Sequence, residues 1–114
     1  MIVIIDYGLG NLRSVQKSFK RAGHDTIVSK NITDLSSASK LILPGVGNFK
    51  HAMVNIKNSG LLDTLNHLVL IKKIPILGIC LGMQLMTKFS EEGNVEGLGW
   101  IDAVTRKFNI DKKI

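Results

Sequence analysis

Short apolar runs recur along this chain, and each is followed by a segment with helical spacing. Met1–Asp6 is apolar up to its final acid, the pattern of a strand buried on both faces of a parallel sheet. After the loop Tyr7-Gly8-Leu9-Gly10, Asn11 can cap a helix with the apolar face Leu12, Val15, Phe19 and Ala22, and Gly23 ends it. His24–Ser29 reads as a second strand and Thr33–Ser39 as a short helix or turn. Lys40–Leu43 is a third strand, stopped by Pro44-Gly45-Val46-Gly47. Helical spacing resumes over Phe49–Asn58 and Leu61–Lys72, parted by Gly60. Pro75–Ile79 reads as the fourth strand and Leu81–Phe89 as the helix after it. Ser90–Gly93 is a polar loop, Gly97-Leu98-Gly99-Trp100 follows, and Ala103–Phe108 is strand-like. This alternation predicts an α/β fold: a three-layer, flavodoxin-like parallel sheet with helices on both faces. Such sheets bind ligands beyond the carboxyl ends of their strands, where Asp6–Gly8, Pro44–Gly47 and Cys80 fall.

Composition narrows the picture. A chain of 114 residues, 45% hydrophobic, fits one domain with a real core. Its one cysteine allows no internal disulfide, and there is no Cys-x-x-Cys or Cys/His cluster for a metal. No apolar run reaches the ~18 residues that a membrane span needs. The start has neither the basic region nor the long apolar region of a signal peptide. A soluble, cytoplasmic protein is expected, with no membrane partner. The net charge of +6 raises the question of nucleic acid. The basic residues are dispersed, however, and aromatic residues for base stacking are few, so solvated helix faces are the better reading and no nucleic-acid partner is expected. An acidic protein partner fits the charge equally well.

Chemistry concentrates in Gly78-Ile79-Cys80-Leu81-Gly82. A lone cysteine in an apolar run is ordinarily a small buried hydrophobe. Two flanking glycines at a strand-to-helix junction change that reading, because this is the layout of a nucleophile elbow, with sulfur as the nucleophile. Such a turn is tight, and glycines on either side let strand and helix close around the central residue. Pro44–Gly47 contains glycines that can aim backbone N–H groups outward, as acyl transfer requires where an oxyanion forms. The elbow offers a second donor, the N–H of Leu81. Gly8-Leu9-Gly10 lacks the third glycine of a dinucleotide loop, since that position is Arg13, and no Walker pattern occurs. Of the three histidines, His24 starts a strand at the opposite end of the sheet and His67 lies within a helix. His51 alone falls near the active edge, and it is more often a surface residue than a base.

These segments together resemble a known family. Asp6-Tyr7-Gly8-x-Gly10-Asn11-Leu12, Pro44–Gly47, Gly78–Gln84, and Ser90–Gly93 followed by Gly97–Trp100 match in order and spacing the glutaminase subunits of imidazole glycerol phosphate synthase (the HisH type). These are class I, or triad, glutamine amidotransferases of histidine biosynthesis. The resemblance covers essentially the whole chain and implies that residues 1–114 are the N-terminal portion of a single amidotransferase domain. It implies that Cys80 attacks the side-chain amide of glutamine, forming a γ-glutamyl thioester and releasing ammonia. Gly47 and Leu81 would supply the oxyanion donors, and Gly45 and Gln84 would bind glutamine. Tyr7, Gly10 and Asn11 would face the partner, a (β/α)8-barrel cyclase of the HisF type, in a heterodimer that channels ammonia. No cofactor and no metal are implied.

The family's catalytic His and Glu come from a His-x-Glu segment well downstream of the cysteine motif, and this chain ends at Ile114 before any such segment. The chain is therefore expected to be C-terminally truncated, inactive alone, and prone to associate through exposed core surface and the edge of Ala103–Phe108. Trp100-Ile101-Asp102-Ala103 also resembles relatives that supply ammonia for amidation of bacterial surface sugars, the alternative assignment. Two other classes remain beside the glutaminase: a different cysteine hydrolase on a similar fold, and a non-catalytic, truncated interaction module.

Overall fold

A computed structural model describes residues 1–108. Its main sheet holds β1 (Ile2–Ile5), β2 (Thr26–Ser29), β3 (Lys40–Leu43) and β4 (Ile76–Gly78), all parallel, in the order β2-β1-β3-β4. The helices are α1 (Leu12–Arg21), α2 (Ile32–Ser36), α3 (Phe49–Asn58), α4 (Leu62–Asn66), which runs on into a π-helical turn at His67–Ile71, and α5 (Leu81–Leu85). Asn11 caps α1 by accepting from the Ser14 N–H at 3.4 Å, and Asn48 caps α3 by accepting from the His51 N–H at 3.0 Å. The parallel α/β architecture expected from the alternation is present.

Strand register sorts side chains onto two faces. Ile27, Val3, Leu41 and Ile76 form one row, and Val28, Ile4, Ile42 and Leu77 form the other. The chain moves one way from β1 to β2, then the other way to β3 and β4. Right-handed crossovers therefore put α1 on one face and the remaining helices on the other. Val3, Ile5, Leu41 and Leu43 pack there with Leu35 of α2, Phe49 and Ile56 of α3, Leu65 of α4 and Leu85 of α5. The reversal of direction leaves a crevice at the carboxyl ends of β1 and β3, the usual place for a ligand in such sheets.

The structure corrects the expected helix Leu81–Phe89. Helix α5 stops at Leu85, and Thr87–Ser90 is a strand, β5. The Thr87 hydroxyl donates to the Gln84 carbonyl at 2.7 Å, helping to end the helix. Strand β5 then pairs antiparallel with β6 (Val95–Glu96) and parallel with β7 (Ile101–Thr105) in a second, small sheet ordered β6-β5-β7. The tail expected as Ala103–Phe108 is thus a strand two residues earlier, and its pairing is with β5, not with the main sheet. The Thr87 and Thr105 hydroxyls lie 2.9 Å apart between β5 and β7, and the Thr105 hydroxyl also donates to the Gln84 carbonyl at the end of α5 at 3.4 Å. Among the described residues no helix is long and apolar enough to cross a membrane.

Candidate active site

Cys80 stands between β4 and α5, is exposed, and has φ 52° and ψ −120°. A non-glycine residue held there is strained and needs surroundings that over-determine it. Those surroundings are mostly backbone. The Ile79 N–H donates to the Leu43 carbonyl at 3.0 Å, and the Gly82 N–H to the Ile79 carbonyl at 2.9 Å. The Cys80 carbonyl accepts from the N–H groups of Met83 (3.0 Å) and Gln84 (3.3 Å). Both motif glycines are sterically required. A Cβ on Gly82 would collide with the Leu43 carbonyl oxygen and lie 2.7 Å from its carbon. One on Gly78 would lie 2.6 Å from the Met83 Cα. Beneath the turn, buried Leu81 and Leu85 anchor α5 in the core. The sulfur is thereby displayed by a rigid turn, as the glycine spacing implied.

Across the crevice, Pro44 and Gly45 are buried while Val46, Gly47 and Asn48 are exposed. The Tyr7 side chain, 4% exposed, donates its hydroxyl to the Pro44 carbonyl at 2.6 Å. A Cβ on Gly45 would strike that hydroxyl and lie 3.1 Å from the Gly82 nitrogen. Tyr7, Gly45 and the elbow therefore form one contiguous packing unit. Burial pushes the Tyr7 phenol up to about 12, so it remains a neutral donor. Gly47 has φ 102°, which favours glycine, although space around its Cβ position is open. Its N–H engages no partner among the described residues, whereas the Leu81 N–H donates to the Gly45 carbonyl at 3.2 Å. One of the two expected oxyanion donors is thus free and the other occupied in this conformation.

The other expected residues are placed as follows. Gln84 is half-buried on α5, one turn after Cys80. Gly10 and Asn11 lie on the surface loop leading into α1, beside the crevice, while Tyr7 points inward. The Asp6 carboxylate accepts from the Gly8 N–H at 3.1 Å and shapes that loop. His24 lies just before β2, at the opposite edge of the sheet, His67 lies where α4 passes into the π-helical turn, and exposed His51 sits in the first turn of α3. None hydrogen-bonds to Cys80 among the described residues. No group of three or more His, Cys, Asp or Glu suited to a metal ion occurs among them either. Sequence reasoning missed the role of Tyr7 as the tie between the first loop and the Pro44–Gly45 turn. Its position after β1, at the same sheet edge as Pro44, was the available signal.

The family model for class-I glutamine amidotransferases matches residues 3–112. The chain belongs to the class-I glutamine amidotransferases. Among curated amidotransferase relatives, imidazole glycerol phosphate synthase subunit HisH 2 of Methanococcus maripaludis is 50% identical over 113 residues, covering 99% of this chain and 56% of that protein. Subunit HisH 1 of Campylobacter jejuni (strain RM1221) is 52% identical over 112 residues, covering 97% of this chain and 56% of its own. Subunit HisH 2 of Pseudomonas aeruginosa is 48% identical over 108 residues, covering 95% and 54%. The chain therefore spans about half the length of the curated relatives it matches. A crystal structure of a glutamine amidotransferase superposes with TM-score 0.79 at 20% identity, over 93% of this chain and 56% of that one, and establishes the shared fold. As a member of this family, the chain presents its elbow cysteine and its glycine-rich turn at one sheet edge.

Proposed function

We propose that residues 1–114 are the N-terminal portion of a single amidotransferase domain and carry the nucleophile half of a glutaminase. Cys80 Sγ attacks the side-chain carbonyl carbon of glutamine. The tetrahedral oxyanion collapses with cleavage of the C–N bond, ammonia leaves on gaining a proton, and a γ-glutamyl thioester remains for water to hydrolyse. The observation that carries this reading is the strained, exposed Cys80 facing the Pro44–Gly47 turn. Gly47 and Leu81 supply N–H donors to the oxyanion, and Gly45 and Gln84 shape the glutamine site. For Leu81 to serve, its bond to the Gly45 carbonyl must open, so the turn has to move when substrate binds. The proton-transfer base is supplied from outside these residues. Ammonia passes to a (β/α)8-barrel cyclase docked on the surface around Gly10 and Asn11, in the histidine pathway; the names of the HisH relatives support this. A lone, exposed thiol nucleophile also suits the reducing cytoplasm.

The test is labelling with a glutamine analogue bearing an electrophile at the amide position, followed by intact mass, with and without the cyclase barrel. One adduct is expected, on Cys80, absent in Cys80→Ser and suppressed by excess glutamine. Labelling indifferent to glutamine would make Cys80 a merely accessible thiol. In a full-length active homologue carrying the same turn, Gly47→Pro removes one donor and is expected to cost on the order of 3 kcal/mol of transition-state stabilisation, read in kcat. Near-normal turnover in a folded variant would remove Gly47 from the mechanism.

A further inference from the structure

We propose that Tyr7 is a positioning residue for acyl transfer at Cys80. Its hydroxyl latches the Pro44–Gly47 turn in the resting conformation that occupies the Leu81 N–H, and that N–H becomes available to the oxyanion only when the latch releases. The role in acyl transfer rests on the glutaminase reading of Cys80, whereas the latch rests on contacts alone. The Tyr7 hydroxyl donates to the Pro44 carbonyl at 2.6 Å, and both residues are buried. That carbonyl belongs to the peptide unit leading into Gly45, and the next carbonyl, that of Gly45, accepts the Leu81 N–H at 3.2 Å. Two consecutive peptide units therefore run from the phenol to the oxyanion donor. A Cβ on Gly45 would strike the Tyr7 hydroxyl and lie 3.1 Å from the Gly82 nitrogen and 3.2 Å from the Leu81 Cβ, so the phenol and the first turn of α5 meet at this residue. Buried Leu81 and Leu85 fix α5 in the core, which leaves the phenol as the side that has to yield.

The two bonds are unequal. The phenol–carbonyl bond is short and buried, while the Leu81–Gly45 bond is longer than a typical N–H···O bond. The turn is thus held more firmly by Tyr7 than by the donor it occupies. The loop after Tyr7 can carry a release. Gly8 and Gly10 have φ of 94° and 120°, and Gly8 is exposed. Gly10 also packs on the turn itself: a Cβ there would lie 3.4 Å from the Pro44 Cβ and 3.5 Å from the Gly45 nitrogen. A displacement of the loop is felt at Pro44 through both the phenol and the Gly10 backbone. Cys80 is already exposed in the resting conformation. What the latch withholds is the oxyanion donor, not the nucleophile.

The test is amide hydrogen exchange in the 114-residue chain, resolved by residue. In Tyr7→Phe the Leu81 amide should exchange about tenfold faster than in the unaltered chain, because a buried hydrogen bond that holds its acceptor is lost. The Ile79 amide, bonded to the Leu43 carbonyl in the same elbow, is the reference. An equal acceleration of both amides would give Tyr7 a general role in stability and overturn the latch, as would no change at Leu81. Because Tyr7 is the one tyrosine, 3-fluorotyrosine can be incorporated in its place. Its more acidic hydroxyl donates more strongly and should slow Leu81 exchange; unchanged or faster exchange counts against the latch. The chemistry is read separately. A glutamine analogue with a carbonyl electrophile should label Cys80 several-fold faster in Tyr7→Phe, while iodoacetamide, which needs no oxyanion donor, should label both chains alike. Slower or unchanged labelling by the analogue in Tyr7→Phe would remove the positioning role. If Leu81 exchange responds as expected but neither chain shows labelling that glutamine suppresses, the glutaminase reading falls and the latch stands.

Discussion

On one face of the parallel sheet, Val3, Ile5, Leu41 and Leu43 are closed off beneath four helices. On the other, Ile4 and Ile42 lie under α1 alone, and α1 itself buries no residue completely, whereas α3 buries four. Along a single row of that second face, Ile42 is 2% exposed and its neighbour Leu77 is 52% exposed. Beside them, Ile2, Phe19, Ile42, Pro75 and Leu77 line an apolar groove of ≈ 220 Å³. Both faces read as equally apolar in the sequence; they differ in what covers them. Packing is concentrated where the elbow must be rigid, and the opposite face keeps apolar surface of the kind that promotes association.

The largest expected effect is at the closest backbone approach. Gly82→Ala forces a methyl into the Leu43 carbonyl and should cost more than about 4 kcal/mol, enough to abolish the fold and Cys80 labelling together. A folded, reactive Gly82→Ala chain would show that the elbow is held otherwise. Next come two phenylalanines. Phe49→Ala, on the closed face, should lose about 3–5 kcal/mol in urea unfolding, and half-exposed Phe19→Ala about 1 kcal/mol. Equal losses would erase the contrast between the faces.

Tyr7 gives a sharper, pH-dependent version. Tyr7→Phe leaves the Pro44 carbonyl without its buried donor and should cost about 1–2 kcal/mol at neutral pH. With its pKa raised from 10.0 to about 12, Tyr7 stays neutral in the folded chain while the unfolded chain ionises. Its contribution is therefore complete below the unfolded value and is lost as pH rises through the folded one, by on the order of 2–3 kcal/mol. Tyr7→Phe should lack that alkaline loss. Because Tyr7 is the one tyrosine, tyrosinate absorbance follows the titration directly.

Leu77→Lys tests the open face. Stability should stay within about 0.5 kcal/mol while self-association, measured by sedimentation, falls. A collapse of stability would mean that Leu77 belongs to the core. The smallest effect belongs to Lys88–Asp102, which joins β5 to β7 at the surface. The hydrogen bond and charge of Lys88 hold the Asp102 carboxyl below its ordinary range. Such a shift stabilises above the unfolded pKa and is lost on acidification, yet full exposure screens it. Asp102→Asn should leave the thermal midpoint unchanged at neutral and acidic pH.

Three of the four main strands were legible because each is an apolar run ended by Gly, Pro or an acid; β2, the edge strand Thr26–Ser29, shows only the β-branched Thr26-Ile27-Val28 before Ser29 and Lys30. The tight strand-to-helix turn around Cys80 was legible because Gly78 and Gly82 answer to contacts that any side chain would violate. The end of α5 was not. Leu81, Leu85 and Phe89 satisfy a helical period, and only pairing with Val95–Glu96 and Ile101–Thr105 converts Thr87–Ser90 into a strand. Nor could the sequence disclose that the Leu81 N–H is occupied, because its acceptor, Gly45, arrives from another strand. The uneven cover of the two faces was hidden for the same reason: apolar pattern records which side chains seek burial, not which element arrives to bury them.

The elbow has a consequence for how the chain matures. Its restraints tie Ile79 to Leu43 and Leu81 to Gly45, residues that meet only after β3 and β4 have aligned across the intervening α3 and α4. Closing so long a loop is slow compared with forming a helix turn. A newly made chain therefore carries an ordinary, relaxed cysteine, and the strained geometry is imposed only when the sheet is assembled. The strained turn at Cys80 is a product of late folding, which makes the labelling proposed for Cys80 a clock for assembly of the sheet.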